Sequence, residues 1–462
     1  MRLAKVVSVL ALLVGGCGGG GGGTGGSGEP TGSAGTSGTA QGCSDLFDQN
    51  TLRTYSIDIT PDEMNSIQAE FHDVATLTAQ GNDFATKHPI TFRMDSDTAT
   101  DATFKLHGQS SWAQTVMIDG PREKMQFDIS FHEKDPMGTF HGVEKLVFDM
   151  SRDDWTFMHD RLAHTWFRQA GIASGCATNA RVEINGSYYG LFIVEEPTNK
   201  RVITNFFPGN ADGDLWKGGV QPETNKMPNW DRQAAFKNAI GIAAVSAIVD
   251  VDTSVKEWAG EALINNADGY YGGMHNFYVY DTGAKGFVFL PNDTDSTFDW
   301  LGLFDDVPFD DHPIYWWERR APPQPTAGAA WRAMATDEAA RKKYGAAVGT
   351  MLGQWDVAQL QGWVDTWSAQ IADSVASDPH TPVSSAQFQS AIAATRDVIA
   401  KRAQFLQTFV DCENGSGDDK DGDGVRWCDD CRDDNAAVHP GTPEICGNGI
   451  DDDCNGVADD GC

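Results

Sequence analysis

Positive charge is scarce in this chain. Lysine and arginine together number 34 against 66 aspartates and glutamates in 462 residues, a net charge of −32 at pH 7. A protein so acidic is a poor partner for nucleic acid, or for an anionic membrane surface met by its whole body. Long apolar runs are lacking too. The N-terminal run Val6–Val14 is far short of the roughly 20 residues that a spanning helix requires. Cysteine is nearly absent from the middle of the chain, where only Cys176 lies between Cys43 and Cys412. No internal repeat is visible in the body. Collagen, coiled coil and multi-span membrane protein are thereby excluded.

What is present begins with an address. Arg2 and Lys5, the apolar run and Gly15-Gly16 compose a secretory signal. Cys17 directly after the small residues resembles a bacterial lipobox, so Cys17 is the expected site of lipidation, with ordinary signal cleavage as the alternative. Residues 18–42 hold 13 glycines, with Ser and Thr filling most of the rest. Nothing there can repay ordering, and a coil of that length reaches roughly 25–30 Å as a tether. The expected location is therefore exported, as a membrane-anchored lipoprotein on the periplasmic face or cell surface. Beyond Cys17 there are eight cysteines, six of them in the last 51 residues. An even number in an oxidising compartment suggests disulfides, and the spacing leaves their pairing open. The chain divides into signal (1–17), tether (18–42), body (43–411) and an acidic cysteine-rich tail (412–462).

In the body, Tyr55–Ile59, Pro89–Met94, Thr103–Leu106 and Lys124–Phe131 (KMQFDISF) read as strands, the last as a half-buried one. Thr60 and Pro61 open a helix. Phe157–Ala170 carries apolar residues at helical spacing. Arg181–Ile184 and Tyr188–Glu195 flank Asn185-Gly186, a hairpin turn that favours positive φ. Residues 230–270 are expected to be helical, Phe277–Tyr280 and Gly286–Leu290 to be strands, and 326–410 to be mainly helical. Strands first and helices later point to an α+β body.

Three stretches carry chemistry when taken as a set: Lys105–Trp112 with Arg122–Lys124 downstream, Asn265–Asp268 with His275–Tyr280, and Leu290–Phe298 with its Asp293-Thr294-Asp295 core. An acid after a helix, two strands and then paired acids suits phosphoryl transfer. One carboxylate orients the nucleophile while others hold Mg²⁺ on the phosphates. The order of these pieces resembles the CotH (spore coat protein H) kinases, secreted atypical protein kinases, over roughly residues 50–410. The resemblance is carried by His107-Gly108-Gln109-Ser110-Ser111, Lys124-Met125-Gln126-Phe127, Ser151–Asp154 leading to Asp160–Ala163, and Asp214–Lys217. Its most specific piece is Asn185-Gly186-Ser187-Tyr188-Tyr189-Gly190 with the trailing Glu195. It implies an atypical protein-kinase-like fold that uses ATP with Mg²⁺ or Mn²⁺ on the Ser, Thr or Tyr hydroxyls of a protein substrate. It further implies Asp268 as catalytic aspartate, Asp293 as metal ligand with Asp295 and Asn276 as helpers, and Lys124 on nucleotide phosphate. Lys217 or Arg161 would assist, or hold a structural ion pair. Asn292 stands where members often carry tryptophan, and Asn266-Ala267 precedes Asp268; neither departure removes a carboxylate.

In the tail, Asp419, Asp421 and Asp423 with Gly424 and Asp430 fall at positions 1, 3, 5, 6 and 12 of a calcium loop. Asp451, Asp453 and Asn455 with Gly456 repeat the start of that pattern, but Cys462 occupies position 12. All-oxygen ligands suit Ca²⁺ better than zinc; a metal-free disulfide knot and a zinc site at Cys428 and Cys431 are the alternatives. The stretch Cys428–Cys462 resembles the MopE-like metal-binding repeat of myxobacterial surface proteins. An exported chain meets little ATP, so two other readings stand beside the kinase. One is a non-catalytic scaffold or adhesin on a kinase-like fold. The other is a calcium-dependent polysaccharide binder, suggested by 14 tryptophans.

Overall fold

A computed structural model describes residues 42–266, 268–270, 274–298, 309–315, 328–381 and 383–462. Cys17, the signal and nearly all of the tether lie outside the described residues. The body is α+β, with strands concentrated towards its N-terminus and helices towards its C-terminus. Its strands and helices, in order, are β1 (Arg53–Asp58), α1 (Pro61–Phe71), α2 (Val74–Gln80), β2 (His88–Met94), β3 (Asp97–Leu106), α3 (Ser110–Gln114), β4 (Phe127–Ser130), β5 (Lys145–Asp149), α4 (His159–Gln169), β6 (Ala177–Ile184) and β7 (Ser187–Glu195). After them come α5 (Lys200–Phe206), β8 (Leu215–Lys217), β9 (Gln221–Pro222), α6 (Trp230–Lys237), α7 (Gly241–Ser246), α8 (Val251–Ile264), β10 (Phe277–Asp281) and β11 (Phe287–Pro291). Four helices follow: α9 (Ala329–Ala335), α10 (Glu338–Leu352), α11 (Val357–Ser377) and α12 (Ser385–Asp411).

β1 to β7 close a barrel in the order β1-β2-β3-β4-β5-β7-β6, with β1 and β6 parallel. Closure removes free sheet edges, and the interior fills with aromatic rings such as Phe92, Phe127, Phe148 and Phe192. The β6–β7 hairpin turns at Asn185 (φ 50°) and Gly186 (φ 78°), as its sequence demands. Asn185 also accepts the Ile59 amide through Oδ1 at 2.8 Å, tying the turn to the end of β1. A second sheet, ordered β11-β10-β8-β9, packs with the helices into a larger apolar core.

Several sequence expectations need correction. The strand expected over Lys124–Phe131 forms only at Phe127–Ser130, and all four of its residues are buried. Its polar face, Asp128 and Ser130, is buried by polar neighbours such as His107, Lys145 and Glu133, so the alternation marks two kinds of burial, apolar inside the barrel and polar outside it. The helical stretch 230–270 is three helices, the last ending at Asn265 in left-handed conformation (φ 55°). Among the described residues no helix is long and apolar enough to cross a membrane. Four disulfides form: Cys43–Cys176, Cys412–Cys428, Cys431–Cys454 and Cys446–Cys462. With all six tail sulfurs oxidised, the thiolate zinc alternative fails.

Candidate active site

Carboxylates from four separate segments meet where the barrel faces the second sheet. Asp149 on β5 pairs with Ile193, and Glu195 on β7 pairs with Val147. Both acids therefore lie on the outer face of adjacent strands, two positions apart. Asp160 comes from the first turn of α4, which Asp154 anchors by accepting the amides of Met158 and His159 at 2.8 Å. The fourth segment follows β11, where Asp293 adopts φ 45°, a left-handed conformation that aspartate tolerates. Asp160 Oδ1 accepts the Thr294 hydroxyl at 2.9 Å, and His159 Nδ1 lies 3.0 Å from the Asp295 carbonyl oxygen. One helix end thus grips the acid loop at two points.

Electrostatics follows from this crowding. Burial, then repulsion from Asp293, pushes the Asp149 carboxyl up to about 7. Burial likewise raises Asp160, Glu195 and Asp295 well above the carboxylate range, helped by their acidic neighbours. Asp160 Oδ2 is buried with no hydrogen-bond partner among the described residues. Carboxylates that repel one another, with one buried oxygen left over, fit a hard divalent cation, Mg²⁺ or Mn²⁺. Asp268 adjoins this group, since its charge acts on Asp295. Asn276 donates from Nδ2 to Asp268 Oδ2 at 3.0 Å, and His275 Nδ1 lies 3.5 Å from Asp268 Oδ1. The Asp268 amide donates to Asn266 Oδ1, whose own Nδ2 donates to Glu261 Oε1, both at 3.2 Å.

Cations line the neighbouring part of the cleft. Lys217 on β8 sits opposite Tyr278 on β10. Lys145, at the start of β5, forms an ion pair with Asp128, which also meets His107 Nδ1 at 3.1 Å. Burial opposes ionisation of Asp128, yet His107 and Lys145 hold it well below the usual carboxylate range. Glu223 is raised by burial and partly restrained by Lys217 and Lys145. Tyr278 stands between the halves, since Glu223, Asp128, Asp293 and Glu195 all act on its hydroxyl after burial itself.

The structure brings Asp268, Asn276, Asp293 and Asp295 together and sets Lys217 beside them. Arg161 lies apart from them, and Lys124 stands beside the end of β5 with its ammonium committed elsewhere. The Lys124 ammonium is buried, donates to Asp378 Oδ2 at 2.9 Å and to the Leu191 carbonyl, and stands 4.3 Å from the Phe192 ring centroid. Leu191 lies two positions before Ile193, the residue opposite Asp149, so Lys124 stands at the edge of the acid group while its ammonium is taken by Asp378 and Leu191. Arg161 is fully buried, and its guanidinium meets Gln49 Oε1, Asn179 Oδ1 and Gln370 Oε1 at 2.8–2.9 Å and stacks on Trp367. Its partners are neutral, so Arg161 is a packing bolt and holds no ion pair among the described residues. Residues that the sequence left without a role are Asp149, Asp160, Glu195 and Lys145. The signal available was a lone acid closing an apolar strand, as in Lys145-Leu146-Val147-Phe148-Asp149.

The tail brings together three acids of its first expected cation loop. Asp419, Asp421 and Asp423 place ligand atoms within 4.8 Å of one another. Asp430 is 1% exposed, is crowded by Asp423, Asp421 and Asp433, and leaves its Oδ2 without a donor. The second loop is assembled differently. Asp451 accepts the amides of Asn455 and Gly456 at 2.9 and 2.7 Å, and the Asn455 side chain donates to Asp460 at 3.2 Å. Asp453 groups instead with Glu444 and Asp460.

A barrel and a helical part of the body thus bring acids and lysines together. Residues 104–241 and 237–406 match the family model described as CotH kinase protein, well over half of the chain, and the chain belongs to that family. Residues 430–460 match the Cu-binding_MopE model, described as a metal-binding motif. The chain is similar to inner spore coat protein H of Bacillus subtilis (strain 168), 23% identical over 207 residues, which is 38% of this chain and 55% of that protein. The match thus spans about half the length of that relative. The disulfides and the surface-protein motif mark the chain as extracytoplasmic.

Proposed function

We propose that this protein is an exported, lipid-anchored kinase that transfers phosphate from ATP to the hydroxyls of a protein substrate. The observation that carries the reading is the meeting of Asp149, Asp160, Glu195, Asp293 and Asp295 beside Asp268, with Lys145 and Lys217 close by. Mg²⁺ or Mn²⁺ bound to these carboxylates would neutralise the phosphates. Asp293 and Asp295, with Asp149 and Glu195, would hold the cation, and Asn276 orients Asp268. Lys145 and Lys217 take the phosphate role expected of Lys124. Asp268 then accepts or orients the proton of the attacking hydroxyl. Cys17 fixes the chain to the membrane, and the loop Asp419–Asp430 binds Ca²⁺.

The test is autophosphorylation and phosphorylation of a generic acceptor, with ATP affinity measured alongside. Asp293→Ala abolishes transfer and weakens metal-dependent ATP binding. Asp268→Asn keeps ATP binding and lowers transfer by about 10²-fold or more. If the parent neither binds ATP nor transfers phosphate with Mg²⁺ or Mn²⁺, the kinase reading is lost and the fold serves as a scaffold.

A further inference from the structure

The tail and the catalytic lobe share more than a peptide bond. Cys412, Cys428 and Cys454 lie in the same apolar core as α8, α10 and α12, and Trp427 packs against it. Residues 309–315 run between tail and lobe as a strap. On the tail side, His312 Nε2 lies 3.1 Å from the Trp427 carbonyl, and the Tyr315 hydroxyl donates to the Asp429 carbonyl at 3.1 Å. His312 Nδ1 accepts the amides of Ile314 and Tyr315 at 3.0 Å, which leaves Nε2 as the protonated donor. On the lobe side, the buried Arg402 of α12 donates through Nη1 to the carbonyls of Phe309 and Asp311 at 2.9 and 2.7 Å. Through Nε it donates to the Ala262 carbonyl at 2.8 Å. Ala262 is in the last turn of α8, directly before Asn265 and Asn266 lead to Asp268. The Tyr344 hydroxyl and the Trp331 indole fasten the strap further, at Pro313 and Ile314.

At the other end of this path, Asp430 follows Asp429 directly and belongs to the acidic loop. Oδ2 of Asp421, of Asp423 and of the almost fully buried Asp430 are all buried without a donor among the described residues. Like charges held this way push the loop apart unless a cation stands between them. Any opening there shifts Trp427–Asp429, the segment whose carbonyls hold the strap.

We propose that the tail cation is an effector of the kinase site. A hard divalent cation on Asp419, Asp421, Asp423 and Asp430 tightens the 309–315 strap and, through Arg402, the end of α8 that presents Asp268. The inference rests on the calcium and kinase readings above and adds a coupling between them. Coupling of this kind is reciprocal, so ATP with Mg²⁺ must strengthen calcium binding by the same factor that calcium strengthens ATP binding.

The experiment uses the full chain, with calcium chloride titrated by calorimetry and amide hydrogen exchange followed with and without calcium. Calcium is expected to slow exchange at 309–315 and 262–266, and to tighten ATP–Mg²⁺ binding, each by about fivefold or more. Asp430→Asn and the more exposed Asp421→Asn both lose these effects. Calcium heat in the parent with unchanged exchange in both segments overturns the coupling. So does an effect that survives in both variants, because the cation then acts at the cleft acids. If calcium produces no heat at all, the calcium reading falls and takes the coupling with it. If ATP never binds, the kinase reading falls alone, and the exchange comparison still decides the coupling.

Discussion

Lys124, expected on nucleotide phosphate, forms a buried ion pair instead, and the proposed phosphate contact passes to Lys145. Lys124 is sealed against Asp378, both side chains being almost inaccessible. Removing one partner of a buried pair strands the other charge, so Lys124→Met should destabilise the fold by about 3–5 kcal/mol. It should leave ATP affinity of the folded protein unchanged. Lys145 is about one-third exposed, and without it the buried Asp128 keeps His107, so Lys145→Met should cost about 1–3 kcal/mol in stability while weakening ATP binding at least tenfold. Urea melts and ATP titrations of the two variants separate the roles, and a reversed pattern would return the phosphate contact to Lys124. Sequence pattern singled out Lys124 because it precedes an alternating stretch. Lys145 escaped because β5 has only five residues and no exposed position, so neither alternation nor length announced a strand. The acids Asp268, Asp293 and Asp295 were legible because they sit in polar stretches beside apolar elements, Asp268 after α8 and the other two after β11, where a carboxylate has no packing role.

The elements themselves were readable wherever local chemistry fixes the backbone. Thr60 accepts the Glu63 amide and caps α1, and Asn185-Gly186 turns the β6–β7 hairpin. Barrel closure was not readable, because the parallel pairing of β1 with β6 joins residues more than a hundred positions apart. Helix α8 carries the clearest cost of function at this scale. Glu257 and Glu261 are one turn apart on its buried face, and neither oxygen of Glu257 has a hydrogen-bond partner among the described residues. Burial first, then Glu261, raises the Glu257 carboxyl well above its ordinary value of 4.5. A folded state that holds this proton more tightly than the unfolded chain is favoured below about pH 4.5 and loses that advantage as pH rises towards the raised value. Glu257→Gln should therefore stabilise the protein at pH 8 by about 1–3 kcal/mol and do much less at pH 4.5. Urea melts at the two values, in chelator, check this. An equal effect at both would mean that Glu257 titrates as an ordinary exposed acid.

At the scale of the whole molecule, composition suggested a body with a detachable tail, whereas packing makes the C-terminal lobe and the tail one unit. The sequence could not reveal this, since the tail has few apolar residues of its own; the contact is made by Trp427 and by disulfide sulfurs. Trp427 lies against His312, Phe405 and Phe409, with ring centroids 5.6–6.1 Å apart. Cys412–Cys428 pins it there across 16 residues of chain. Arg341 Nε approaches Asp429 Oδ1 at 3.6 Å from α10, and Arg426 donates to Asp429 Oδ2 at 2.6 Å within the tail. A chain ending at Asp411 would uncover Phe409, lose the carbonyls that hold His312 and Tyr315, and abolish the disulfide. Losing the partly buried Trp427 costs about 2 kcal/mol, and the missing cross-link would add to this on the order of 2–4 kcal/mol. The truncated chain should melt well below the full chain and show fast amide exchange at 309–315, with the barrel less affected because its core is a separate cluster held by Cys43–Cys176. Restoring Trp427 and Cys428 by ending the chain at Asp434 should recover most of the loss. If the chain ending at Asp411 melts where the full chain does, the tail is an appendage, and the strap draws its stability from Arg402, Tyr344 and Trp331 alone.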